Sequence, residues 1–120
     1  ATDAATEILQ DYDREVFLAL FLSTSGKLCG FNICHIGSLS ESLVRIADVF
    51  KAAILSNAAA VIFAHNHPSG NPEPSKEDIA VTKRLVVAGD IIGIPVRDHV
   101  IITSRGESTS LAMRGYLVLD

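Results

Sequence analysis

The sequence predicts an α/β fold in which a mixed β-sheet is covered by helices. Apolar, strand-like segments alternate along the chain with segments of 3.6-residue periodicity. The first two strand-like segments are separated by a short polar turn, which predicts an antiparallel hairpin and therefore a sheet that is not purely parallel. A later run at 58–64, AAAVIFA, is apolar throughout, which is typical of a strand buried on both faces.

The first half of the chain is predicted to hold a helix, the hairpin and a second helix. The predicted boundaries are 3–11 for the weak first helix, 16–22 and 27–36 for the two strands, and 23–26 for their turn. The second helix is predicted to begin at Ser40 or Ser42, because either serine can cap a helix. Apolar residues recur at helical spacing from Leu43 to Ile54.

The second half is predicted to alternate strand and helix. The predicted elements are a strand from 58 to the histidines that follow it, a helix at 76–88, a strand at 94–103, a turn at 104–106 and a short helix at 110–114. Gly89 is predicted to be the C-cap of the longer helix, because glycine readily adopts the left-handed conformation found there. Pro68 favours extended backbone at the residue before it, which would carry the strand up to His67.

Composition excludes several classes of protein. The 120 residues suit one domain, spanning 1–120, and 48% apolar with 20% charged residues exclude a disordered chain. A net charge of −4 argues against DNA binding by this chain alone. There is no apolar run of 18 residues and no signal-like N terminus, so we expect a soluble, cytoplasmic protein without a membrane partner.

The stretch HNHPSGNPEPSKED contains the strongest candidate for a functional site. His65 and His67 are two residues apart on a strand, so their imidazoles point to the same side. Ser75 and Asp78 fit a helix-capping box, which by itself needs no metal. On the helix, however, Asp78 shares the face of apolar residues, and a buried carboxylate needs a partner. Two imidazoles and a carboxylate can form a zinc site with an open fourth position.

The remaining histidines and cysteines are predicted to be structural. His35 and His99 lie on predicted strands, where a histidine is more often hydrogen-bonded in the fold than bound to metal. Cys29 and Cys34 are five residues apart on one strand, hence on opposite faces, and are poorly placed to form a disulfide.

The string HNHPSGNPEPSKEDIAVTKRL, with DHVIIT further on, resembles the RadC family of bacterial proteins, which carry a JAMM (MPN-plus) domain. The resemblance runs from about residue 15 to 116 and implies a layered, cytidine-deaminase-like α/β architecture. It also implies that Zn²⁺ is bound by His65, His67 and Asp78. Ser75 would assist, and Glu15 would act as general base. Glu7 and Asp13 are the alternatives to Glu15. A helix-hairpin-helix region commonly precedes this domain in the family, and none is expected in this chain.

Two functions follow from the resemblance. The first is a zinc-dependent hydrolase in which a metal-activated water attacks an amide or isopeptide bond of a peptide substrate. The second is a DNA-repair-associated domain that acts as a binding or accessory module without robust peptidase activity. A zinc nucleobase deaminase is excluded, because it needs His-x-Glu and Pro-Cys-x-x-Cys, which the chain lacks. The consecutive letters H-N-H do not form a nuclease motif, which spreads those residues over a longer segment.

Overall fold

The structure, a computed structural model, describes residues 2–117. Its elements in chain order are α1 (Thr2–Leu9), β1 (Val16–Leu22), β2 (Leu28–Ile36), α2 (Ile46–Leu55), β3 (Ala60–His67), α3 (Lys76–Ile92), β4 (Val96–Thr103) and β5 (Ser108–Ser110). The strands form one sheet in the order β2-β1-β3-β4-β5. β3 and β4 pair in parallel, and the other neighbouring strands are antiparallel. This arrangement confirms the predicted mixed sheet and its initial hairpin.

Helices α2 and α3 cover one face of the sheet. Alternate residues of β1, beginning with Phe17, point to this face and pack with Phe63 of β3. The helices contribute Phe50 and Leu85 to the same core. The connection from β3 through α3 to the parallel strand β4 places α3 directly over the two strands.

Helix α1 covers part of the opposite face. Leu18 and Leu20 of β1 pack there with Leu9 of α1 and Ile102 of β4. Strand β1 is therefore buried on both faces, which explains why its sequence, VFLALFL, is continuously apolar. Strand β2 lies at the edge of the sheet and is largely exposed.

The predicted start of α2 and the predicted end of α3 need correction. Helix α2 begins at Ile46, after a turn that includes Ser42, and its N-cap Arg45 makes no side-chain capping hydrogen bond. Helix α3 continues past Gly89 to Ile92, and its C-cap is Gly93 in the left-handed conformation. The role of Gly89 is close packing, since a Cβ there would lie 2.6 Å from the carbonyl oxygen of Ile94.

The end of the chain also differs from the prediction. Ile94 lies outside β4, because its N–H donates to the carbonyl of Gly89 and so completes the end of α3. Residues 110–114 do not form a helix: Ser110 ends β5, and turns follow it. The Ser110 hydroxyl donates to the Asp98 carboxylate, which ties this segment to β4. Both Cys29 and Cys34 are free.

A membrane-spanning helix was not expected from the sequence. Within residues 2–117, every helix is too short or too polar to cross a membrane.

Candidate metal centre

Three parts of the fold meet at the C-terminal end of β3. His65 and His67 are the last histidines of that strand, and alternation along the strand turns both imidazoles to the face covered by α3. Asp78 lies in the first turn of α3, directly above them. Glu15 immediately precedes β1, and pairing of Phe17 with His65 brings the start of β1 beside the end of β3.

The side chains are close enough to share one ion. The Asp78 oxygens lie 3.1 Å from Nδ1 of His65 and 3.1 Å from Nε2 of His67. A Glu15 oxygen lies 3.6 Å from Nε2 of His65. One ligand atom from each of Glu15, His65 and His67 lies within 4.8 Å of the others, which makes these three a possible metal-binding group.

The capping box exists and coexists with these contacts. The Ser75 hydroxyl accepts a hydrogen bond from the N–H of Asp78 at 3.0 Å, and the Asp78 carboxylate accepts one from the N–H of Ser75 at 2.8 Å. Asp78 is fully buried, yet its carboxylate also reaches both histidines. Two explanations that compete on the sequence are therefore compatible in the structure.

Hydrogen bonds fix the charge of this group. Burial by itself raises the pKa of Asp78, but the hydrogen bonds from His65 and His67 outweigh burial and hold that pKa well below its usual range. The same hydrogen bond to Asp78 raises the pKa of His67. An ionised Asp78 carboxylate thus lies against the two imidazoles.

The ring nitrogens that face the carboxylates suit a metal. Nδ1 of His67 donates to the carbonyl oxygen of Asn71 at 2.9 Å, which fixes the ring and leaves Nε2 on the side of the carboxylates. Nε2 of His65 is buried and, like Nε2 of His99, has no hydrogen-bond partner among the described residues, but the Glu15 carboxylate lies 3.6 Å from the His65 nitrogen. A buried nitrogen without a partner is costly unless a ligand fills the position. These donors, two nitrogens with carboxylate oxygens, are a set that zinc binds.

Asn66 is a site residue that the sequence analysis missed. Its amide oxygen accepts from the N–H of Val16 at 2.6 Å, and its amide nitrogen donates to the carbonyl of Arg14 at 2.9 Å. The side chain therefore holds the backbone on both sides of Glu15. A signal was available, because a polar residue between the two histidines must point to the opposite face of β3.

The other titratable candidates lie elsewhere. His99 is fully buried, and its Nδ1 is 2.6 Å from the hydroxyl of Thr82. Burial, followed by the proximity of His65, lowers the pKa of His99 to about 3. Nε2 of His35 bonds to the carbonyl of Ser38 at 3.2 Å at the surface. Asp13 lines a neighbouring cavity, and the possible metal-binding group includes neither Asp13 nor Glu7.

The group opens onto a cleft of about 380 Å³, which we call the site cleft. Its walls are formed by the loop between β3 and α3, together with Glu15 and His67. Ser75 also faces this cleft, so its hydroxyl is accessible from the same space. An ion pair of 3.1 Å between Arg114 and Glu73 ties the loop to the end of the chain. The Glu15 carboxylate, the His67 imidazole and the Ser75 hydroxyl thus face the same space.

The fold and this arrangement define a JAB-type domain, in which a mixed sheet delivers two histidines from a strand end to an aspartate at a helix start. Residues 1–116 match the family model described as the RadC-like JAB domain, and the chain belongs to that family. The resemblance to the RadC family is thereby confirmed.

Curated relatives support the same family. The chain is similar to a UPF0758 protein of Salinibacter ruber, at 50% identity over 115 residues, which are 96% of this chain and 49% of that protein. A UPF0758 protein of Desulforamulus reducens is 50% identical over 111 residues, which are 92% of this chain and 48% of that protein. One of Moorella thermoacetica is 51% identical over 105 residues, 88% of this chain and 45% of that protein. The chain thus spans about half the length of these relatives.

Proposed function

We propose that this domain is a zinc-dependent hydrolase that cleaves an amide or isopeptide bond. The observation that supports the proposal is the convergence of Glu15, His65, His67 and Asp78 at the base of the open site cleft. In this proposal His65, His67 and Asp78 hold the metal, and Glu15 and Ser75 serve the reaction. When bound, zinc supplies a Lewis acid that makes water nucleophilic near neutral pH.

Glu15 is suited to the role of general base. Its carboxylate lies 3.6 Å from His65 and is 31% exposed, so it borders both the metal-binding group and the cleft. It accepts a proton from the attacking water and then donates it to the leaving amine. Asn66 holds the backbone on both sides of Glu15, which limits the distance that the carboxylate can move.

Ser75 is suited to stabilise the oxyanion. Its hydroxyl oxygen already accepts the N–H of Asp78, so the hydroxyl hydrogen remains to be donated. Ser75 lines the site cleft, where the carbonyl oxygen of a substrate would develop negative charge. The helix cap therefore orients the hydroxyl before substrate arrives.

Zinc content and turnover of a Glu15→Gln variant test the proposal. We expect the parent protein to retain about one zinc per chain after loading and desalting, and to cleave a member of a panel of peptide and isopeptide-linked substrates. Glu15→Gln should keep the zinc and lose turnover by roughly 100-fold or more, because the amide cannot take the proton. Glu7→Gln, the same change on an exposed residue of α1, is the matched control and should leave both unchanged.

The outcome also decides between two roles of Glu15. If Glu15→Gln loses zinc together with turnover, Glu15 is a ligand and not the base, and Asp78 serves mainly to orient the imidazoles. A parent protein that retains no zinc from a chelator-free buffer would refute the metal site itself. Cleavage of DNA with the same zinc dependence would refute the substrate class and leave the metal site in place.

The alternative function is a binding or accessory module linked to DNA repair. The name of the RadC family reflects a proposed link to DNA repair, and the matched relatives are about twice as long as this chain. The net charge of −4 argues against direct contact of this chain with nucleic-acid phosphates. A module of this kind predicts partner affinity that is indifferent to Glu15→Gln. A cytoplasmic location is part of both proposals, and the free thiols of Cys29 and Cys34 are compatible with it.

A further inference from the structure

A second cavity, which we call the side cavity, lies beside the metal centre. It encloses about 470 Å³, a volume within the range of small-ligand pockets. Helix α1 and the segment that follows it form one wall, and the ends of β3 and β4 form the other. None of the catalytic roles proposed above uses this space.

The side cavity and the site cleft are neighbours. His67 and Pro68 line both of them, so the two spaces lie side by side at the end of β3. A substrate whose backbone lies in the site cleft can therefore place one side chain in the side cavity. Under the proposed function, the cavity lies where it can hold a residue next to the bond that is cleaved.

The walls of the side cavity suit a long aliphatic stem. Leu9, Ile102 and Pro68 provide apolar surface, and the ring of Tyr12 adds to it. Leu9 and Ile102 also pack in the core between α1 and the sheet. Arginine and lysine side chains bury such stems and keep the charged group near water.

The lining of the side cavity includes a carboxylate, and the segment that forms its first wall is acidic. Asp13 is the carboxylate among the lining residues and is exposed to solvent. Residues 2–15, which form the first wall, contain five acidic residues and one arginine, whereas the rest of the chain contains nine of each sign. The net charge of −4 thus belongs to this segment alone. Arg105, which is close in sequence to the other wall, has its Nε against Gly70.

We infer that the side cavity binds an arginine or lysine side chain of a polypeptide substrate, with its stem on Leu9 and Tyr12 and its charged end at Asp13. The inference rests on the proposed function for the position of the scissile bond, but the binding itself does not require turnover. It predicts substrates with a basic residue next to the bond that is cleaved.

Binding of small probes tests the inference without turnover. Nα-acetyl-arginine amide is titrated into ¹⁵N-labelled protein, with and without zinc, and compared with the norleucine amide, which lacks the charge, and the glutamate amide. We expect the arginine probe to shift the amide signals of Leu9 and Thr103 and to bind several-fold more tightly than the norleucine probe. Asp13→Asn should weaken the arginine probe about two- to fivefold and leave the norleucine probe unchanged.

Asp11→Asn is the matched control, because it makes the same charge change in the same segment at a residue outside the cavity lining. Equal losses in Asp11→Asn and Asp13→Asn would overturn the inference, since they would show a general charge effect. Equal affinity for the arginine and norleucine probes, preference for the glutamate probe, or shifts confined to other surfaces would overturn it as well. Probe binding by a protein without peptidase activity would retain the subsite and refute only the proposed function.

Discussion

Two successive turns of α3 each face a buried histidine, and the two histidines have different surroundings. Asp78, in the first turn, lies against His65, whereas Thr82, one turn later, lies against His99. The imidazole centroids of His65 and His99 are 6.2 Å apart, and the ring of Phe17 meets both rings edge-on. The two pairs therefore share one core and differ mainly in the helix residue that faces the ring.

That difference separates a candidate metal ligand, His65, from a structural residue, His99. The carboxylate of Asp78 can carry charge and bind metal, and Glu15 adds a second carboxylate on the other side of His65. The hydroxyl of Thr82 carries no charge. It donates to the carbonyl of Asp78 at 2.6 Å and accepts from Nδ1 of His99. Burial lowers the pKa of His99 to about 3, so this imidazole stays neutral near neutral pH.

Replacement of Asp78 should have the largest effect on zinc retention and on stability. We expect Asp78→Ala to lose zinc retention and to lower the free energy of unfolding of the metal-free protein by roughly 3–5 kcal/mol, because two imidazoles lose their buried partner. Loss of the capping box adds to this effect. Elemental analysis and urea denaturation measure the two quantities. Retention of one zinc per chain by a folded Asp78→Ala would exclude Asp78 as a ligand.

Replacement of Thr82 should have a smaller and purely structural effect. Thr82→Val keeps the shape of the side chain but leaves Nδ1 of His99 without its partner, which should lower the free energy of unfolding by about 1–3 kcal/mol. Zinc content should stay at the parent value, because Thr82 contacts Asp78 only through its carbonyl oxygen. A Thr82→Val protein that folds normally and loses zinc would show that the two pairs act as one unit.

The burial of His99 should make the stability of the protein depend on pH in mild acid. In the metal-free protein, burial lowers the pKa of His99 from 6.5 to about 3. Between these two pH values, His99 takes up a proton in the unfolded chain and not in the folded protein. Stability should therefore fall as pH falls through this window, by at most about 1.4 kcal/mol per pH unit from this residue. His67, whose pKa is raised, acts in the opposite direction at higher pH.

Urea denaturation of the metal-free protein between about pH 6 and pH 4.5 measures this slope. The range lies above the usual pKa of aspartate, where the contribution of Asp78 is still fully present. His99→Gln is the control, because glutamine keeps a polar group near Thr82 and does not titrate. The difference between the slopes of the two proteins should isolate His99, and identical slopes would show that His99 is protonated in the folded state.

Most of the fold could be predicted from local patterns. The apolar run of β1, the hairpin and the strand that ends in two histidines follow from periodicity, and the structure confirms them. The errors are at helix ends, where tertiary contacts decide. Gly89 is the residue type of a C-cap but lies inside the helix, because Gly93 takes the left-handed position and the N–H groups of Gly93 and Ile94 donate to the Gly89 carbonyl. Ser42 resembles an N-cap but lies in a turn.

The sequence by itself determined the part of the candidate site that is contained in one continuous stretch. Two histidines separated by one residue share a strand face, and a Ser-x-x-Asp cap places a carboxylate at the start of the next helix. Both features depend on backbone geometry over a few residues. Either can be seen without knowing what the rest of the chain does.

Only the tertiary structure decided how Glu15 joins these residues. Glu15 is fifty positions from His65 in sequence, and it reaches the site because β1 pairs with β3 in the register that sets Phe17 beside His65. Asn66 then fixes the backbone around Glu15. Strand register is set by the side chains of a whole sheet face, and a shift of one residue would turn Glu15 away from the metal centre. No local pattern around Glu15 carries that information.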